Sequence, residues 1–353
     1  TVWIGGVRHD KAFSEEGITL SYEGGTPVVT LAGATIDQAG GPNASGYALY
    51  ASGDLVVALA EGSKNYISVG ESERQTGALH AGGKLTVYSE GTSNPGKLNI
   101  DYTQFAFDSS RITGVVSANT LSIGASVNVK YCENAQNGTL PSDPLTLVYA
   151  EGNIDLGSRG AQISLEATGQ RALYGIRSYQ GNINANDCGA LSVNGDILSA
   201  LYSNQGNISL GNHTDVSLTC AGGANPGIVN ALEGTVSISP VSGSGNIVVA
   251  SDDANTPAFL AENIKLGDGV IVAEPASAKI GTTSDSAYGT CATIVDQGGL
   301  AAAKVVISNK SAAELAGKTI GKCFPDNALG EAVWTGVLRK SNSYDSSYEL
   351  SIE

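Results

Sequence analysis

The residues best suited to chemistry recur at matched places along the chain rather than in one compact motif. Aligning short segments of the form small–apolar–polar puts Tyr50, His80, Val116, Tyr149, Arg177, Tyr202 and Leu260 at equivalent outward positions. Five of the seven (Tyr50, His80, Tyr149, Arg177 and Tyr202) carry a phenol, an imidazole or a guanidinium. If the segments are strands stacked at the sheet spacing of about 4.8 Å, flat rings at that spacing could lie on sugar rings. Arg177 could then pair with a uronate carboxylate. These five are the candidate carbohydrate-binding residues. The competing reading is that outward tyrosines shield the sheet and stack on one another.

Other chemistries leave weaker traces. Asp252-Asp253 is the one adjacent acidic pair besides Glu15-Glu16. Carboxylates are natural Ca²⁺ ligands, so this pair is the candidate for Ca²⁺, against a plain solvated turn; no other cofactor is called for. Pectin hydrolysis needs separated aspartates, carried in polygalacturonases by Asn-Thr-Asp, Asp-Asp, Gly-His-Gly and Arg-Ile-Lys in that order. Here only Asp-Asp occurs; Asn212-His-Thr-Asp215 and Arg111-Ile-Thr are the nearest echoes, in the wrong order. His9, His80 and His213 are scattered, with no HExxH, nucleophile elbow or phosphate loop. No catalytic residue is therefore named and a non-enzyme is expected. A Ca²⁺-dependent lyase stays the alternative, because its site would assemble from distant segments.

The elements that must position the column form a repeat. One segment type runs Asp54-Leu-Val-Val, Lys84-Leu-Thr-Val, Thr120-Leu-Ser-Ile, Asn153-Ile-Asp-Leu, Asn182-Ile-Asn-Ala, Asn207-Ile-Ser-Leu, Thr235-Val-Ser-Ile and Asn263-Ile-Lys-Leu. Its apolar period of two is that of a strand with one buried side, so Leu85/Val87 and Ile208/Leu210 face in while Thr86 and Ser209 face out. A second type follows each (Ile67/Val69, Leu98/Ile100, Val127/Val129, Ile163/Leu165 and so on), and a third carrying the column precedes the first. Three strands per unit of about 30 residues, with Gly and Asn at the corners, predict an all-β, right-handed parallel β-helix of about eight or nine coils. Asn and Gly are expected there to supply positive φ. Residues 1–26 are expected to be N-terminal capping strands and 27–275 the repeats. Residues 276–353 are expected to be an irregular C-terminal cap or small module, with short helices at 312–315 and 328–333.

Val2-Trp-Ile-Gly-Gly-Val at the start, and Pro27-Val-Val-Thr-Leu-Ala-Gly-Ala-Thr-Ile leading into Tyr47-Ala-Leu-Tyr-Ala-Ser-Gly-Asp-Leu, resemble secreted β-helix proteins of anaerobic gut bacteria. Over roughly residues 1–275 the chain is similar to the calcium-dependent carbohydrate-binding β-helix family of clostridial surface proteins. That resemblance implies an exported, cell-attached, non-catalytic protein that contacts polysaccharide or another cell-surface glycan. It carries no ligand residue across. A structural stalk or adhesin module is a further alternative.

Composition narrows the partners. The formal net charge is −15 and only 15% of residues are charged, which argues against nucleic acid or an anionic membrane, since both need a basic face. No apolar run approaches the roughly 18 residues of a membrane-spanning helix. The five cysteines form no CxxC pair and read as small buried hydrophobes.

Overall fold

The computed structural model describes residues 1–41, 46–70, 76–105, 114–134, 145–169, 173–221, 227–241, 247–251, 259–266, 270–281, 292–294, 304–309, 332–333, 336–342 and 345–351. All regular structure there is β-strand. The chain divides into two compact units, Thr1–Arg177 and Ser178–Glu353.

In the first unit, most strands pair in parallel with the equivalent strand one repeat later. Leu55, Leu85, Leu121 and Ile154 stand in register on neighbouring strands. So do Ile36, Ile67, Ile100, Val129 and Leu165, and Leu49, Leu79, Val116 and Val148. All are buried. Parallel registry places like on like, so a period-two strand builds continuous aliphatic ladders and leaves its alternate residues on the other face.

Side chains help to hold the corners between strands. The carboxylate of Asp54 accepts from the Lys84 N–H of the next repeat at 2.8 Å. Asn65, fully buried, accepts from Gly33 N–H (2.9 Å) and Ala34 N–H (3.0 Å). Its amide donates to Ser63 Oγ (2.8 Å) and to the Lys97 carbonyl (3.2 Å), so one side chain ties three successive repeats. Positive φ, expected of Asn as well as Gly, belongs almost wholly to Gly among the described residues; Asn212 at φ 56° is the asparagine that adopts it.

Residues 1–25 depart from the parallel scheme, and Thr26–Leu31 joins them to it. Val2–Ile4 and Val7–His9 form a hairpin, and Phe13–Glu15, Ile18–Glu23 and Thr26–Leu31 form an antiparallel meander. Val2–Ile4 also runs antiparallel along Gly46–Ala51. Thr26–Leu31 is antiparallel to Ile18–Glu23 on one side and parallel to Leu55–Leu59 on the other. An open row of strand N–H and C=O groups invites aggregation, and these N-terminal strands occupy two such rows.

The second unit has its own ladders: Ile183, Ile208, Val236 and Ile264, then Val193, Leu218 and Val249, then Leu201, Val229 and Phe259. Its corners carry an asparagine ladder, in which Asn182 Oδ1 accepts from Asn207 N–H and Asn207 Oδ1 from Thr235 N–H, both at 2.8 Å. Beyond the strand Phe259–Leu266 one short parallel contact remains, Phe259 with Ile280 and Leu260 with Gly281, and the other pairings are antiparallel. Val270–Gly281 pairs with Ala292–Ile294, Lys304–Asn309 and Ala332–Val333, and Gly336–Asn342 with Asp345–Ser351. Ala332–Val333 is thus strand, not the end of a helix, because both residues pair with Ile271 and Val272. Residues 312–315 and 328–331 lie outside the described residues. Cys188 and Cys220 are buried as expected, whereas Cys132 is exposed; Cys291 and Cys323 lie outside the described residues.

Candidate functional site

The column is built in the first unit by the strands Gly46–Ala51, Thr76–Ser89, Gly114–Gly124 and Leu145–Ala150. Register sets Tyr50 against His80, His80 against Ser117, and Ser117 against Tyr149. The alignment on Gly114-Val-Val puts Val116 outward; instead Val116 pairs with Leu79 and Val148 inside, and Ser117, itself buried, takes the register position of the column. Residues 114–118 are all buried, so the period of two is silent at the point where it was needed.

Tyr50, His80 and Tyr149 are half-buried. The rings of Tyr50 and His80 stack, with centroids 5.0 Å apart and planes 17° apart. Each therefore covers one face of the other, and their polar edges remain for hydrogen bonding. Tyr47, buried beneath, completes the cluster at 4.9 Å from the imidazole. Tyr149 donates its hydroxyl to Glu151 Oε2 at 2.7 Å.

A hydrogen-bond chain runs through this cluster. Buried Ser117 donates from Oγ to the Tyr47 hydroxyl oxygen at 3.2 Å, and His80 Nδ1 lies 2.8 Å from the same Oγ. With the one hydroxyl hydrogen of Ser117 committed to Tyr47, the short contact is filled by Nδ1–H donating to Oγ. The neutral imidazole then keeps its lone pair on Nε2. Burial pushes the Tyr47 phenol up to about 12, so it stays neutral. Burial also lowers His80 below the ordinary 6.5 of an imidazole.

That shift carries a sign. A folded state that disfavours the imidazolium binds the proton less readily than the unfolded chain. The stability it contributes is complete above the ordinary value and is lost as pH falls from there to the lower folded value, below which the loss levels off. His80→Gln should therefore flatten the dependence of Tm on pH as pH falls below the ordinary imidazole value of 6.5. An unaltered slope in thermal melts would refute the assignment.

Arg177 is half-buried on Leu173–Ser178, which pairs with Leu145–Ala150. Its guanidinium lies over the Tyr174 ring, 5.2 Å from the centroid. Tyr202, in the second unit, is half-buried and in register with Asn230 and then Leu260. Leu260, assigned outward with the column, is buried.

Three residues of the site escape the sequence pattern. Ser117 hides behind Val116, and Tyr47 sits before the repeat segment. Trp3, on a strand read only as a cap, lies opposite Tyr50 in antiparallel register. Its signal is available in the apolar–aromatic–apolar run Val2-Trp3-Ile4, which alternates buried, half-buried, buried.

Among the described residues no group of three or more His, Cys, Asp or Glu is placed to hold a metal ion. Asp252-Asp253 lies outside them. No helix among the described residues is long and apolar enough to cross a membrane. No family model, curated protein or solved structure matches the chain.

Proposed function

We propose that the chain is a right-handed parallel β-helix of an exported bacterial surface protein, and that it binds polysaccharide without catalysis through the Tyr50–His80–Ser117–Tyr149 face. The observation that carries this reading is the in-register stack of Tyr50 on His80, tied from beneath by Ser117 and Tyr47. The recurrent parallel ladders and the corner Asp and Asn bonds support the β-helix. Trp3 beside Tyr50 extends the aromatic surface, and Arg177 supplies a cation for an acidic sugar.

The stacking refines how a glycan would be held. Rings that cover one another offer edges, so the Tyr50 hydroxyl and His80 Nε2 would meet sugar hydroxyls as donor and acceptor. Such sites gain specificity because a mismatched sugar leaves polar groups unpaired. A second reading has the same observation behind it: rings stacked on one another can serve the rigidity of a stalk alone.

Pull-down on insoluble polysaccharides and a glycan array, with the full chain and with Tyr50→Ala plus Tyr149→Ala, separates the two. Binding of at least one glycan that falls about tenfold in the double variant, a loss of about 1.4 kcal/mol, is expected. Retention unchanged by the double variant would overturn the site. Release of reducing or unsaturated sugar by the unaltered chain would overturn the non-catalytic reading.

A further inference from the structure

We propose an interaction surface independent of the glycan-binding reading: the outer edge of Thr35–Ile36 takes a short, extended, basic polypeptide segment as an added strand. Three strands begin the parallel ladders, Thr26–Leu31, Thr35–Ile36 and Gly46–Ala51, each paired with its equivalent one repeat later. The first is covered on its other side by Ile18–Glu23 and the third by Val2–Ile4. Thr35–Ile36 has no covering strand among the described residues. Its free backbone groups can be named. Tyr66 N–H donates to the Ala34 carbonyl at 2.9 Å, so Ala34 and Ile36 turn their polar groups toward Lys64–Val69. Backbone groups alternate between the two edges of a strand, so Thr35 turns its N–H and C=O outward. Neither has a protein partner among the described residues.

The covering strands reach this edge only at its two ends. Ala32 N–H donates to the Gly17 carbonyl at 2.8 Å, and the Gly5-Gly6 turn rests on Gly40, where an added Cβ would lie 2.6 Å from Gly6 Cα. Between those contacts a cleft of about 250 Å³ stands over Thr35 and Ile36. Val7 and Phe13 line it, with His9 stacked on Phe13 at 4.1 Å between ring centroids. Val7 is 57% exposed, more than any other large apolar side chain among the described residues. A strand sends alternate side chains to one face, so every second residue of an added one can lie on these apolar walls. Charge then selects which strand. Glu15, Glu16 and Asp37 are exposed around the cleft and the whole chain carries −15. Two copies pairing edge to edge would bring those carboxylates together, so the charge refuses self-association at an edge that is otherwise open to it. A strand with lysine at its alternate positions meets the carboxylates favourably and takes its main-chain bonds from Thr35.

The probe is the peptide acetyl-Lys-Val-Lys-Val-Lys-amide, titrated into the full chain and followed by calorimetry and amide hydrogen exchange. Two further peptides separate backbone from charge. One carries methyl groups on its three internal backbone nitrogens, which keeps the lysines and removes the strand donors; the other has Glu in place of each Lys. The first peptide is expected to bind at least about tenfold tighter than either, and to slow exchange of the Thr35 N–H. Thr35→Pro removes the outward N–H and leaves the bonds to Lys64–Val69, so it should weaken the peptide at least about tenfold. Thr35→Val keeps the edge and should leave affinity within about twofold. Should Thr35→Pro fail to fold, the methylated peptide alone decides. Equal binding of the methylated peptide would mean that charge, not the strand edge, holds it, and would overturn the proposal. So would absence of binding, or a dimer of the full chain in sedimentation that Thr35→Pro abolishes, which would give the edge to a second copy.

Discussion

Replacing Asn65 with Leu should lower the stability of the first unit more than any exposed polar change. Leucine keeps the volume but removes four hydrogen bonds. It takes the partner from the N–H groups of Gly33 and Ala34 and from the Lys97 carbonyl, around a side chain that is itself fully buried. Each buried group left unsatisfied costs about 1–3 kcal/mol, so about 3 kcal/mol or more is expected. For a unit of this size that is about 6–12 °C in Tm. The control is Asn99→Ala on the next repeat. Asn99 is half-exposed and makes one long bond, 3.4 Å, to the Asn65 carbonyl, so its loss should fall below about 0.5 kcal/mol. Equal effects at the two positions in urea unfolding would contradict the clamp.

Asn65 also marks where sequence reasoning stops. The inward pairs Ile67/Val69 and Leu98/Ile100 are legible because a strand with one wet face alternates, and burial follows that alternation residue by residue. Hydrogen bonding between repeats is not periodic in this way. Nothing in Lys64-Asn-Tyr distinguishes a buried clamp from a solvated corner, since the partners lie about 30 residues away on either side. The repeat units were readable for the same reason that the exact column was not. Registry depends on which residue of Gly114-Val-Val-Ser faces in, and five successive buried positions leave the choice to the neighbouring strands. A one-residue slip exchanges the two faces, which is how a serine with a hydrogen-bonding role is replaced by a valine without one. In the N-terminal strands, the antiparallel pairing that brings Trp3 to Tyr50 is a long-range contact, invisible to any local pattern.

The largest effect on the aromatic face should come from a glycine that carries no chemistry. Gly77 stands in register with Tyr47, and a Cβ built there would run into the Tyr47 ring atoms Cδ1 and Cε1. The phenol lies against the glycine, where its hydroxyl reaches Ser117 while the ring stays 4.9 Å from His80. Gly77→Ala must push the ring away or distort two strands, an overpacking cost of about 1–3 kcal/mol. It should also release the Ser117 hydrogen that fixes the tautomer of His80, and with it any glycan contact that depends on Nε2. Tyr47→Ala removes the obstacle, at a cavity cost of about 3–5 kcal/mol. In that background Gly77→Ala should cost almost nothing, so the double-mutant cycle should show coupling of at least about 1 kcal/mol. Tyr47→Phe keeps the ring and removes only the acceptor for Ser117, so the clash with Gly77→Ala should survive in full. Additive effects in the Tyr47→Ala cycle would mean that the ring does not rest on Gly77. Coupling lost with Tyr47→Phe would mean that the hydroxyl, not the ring, is what the glycine accommodates.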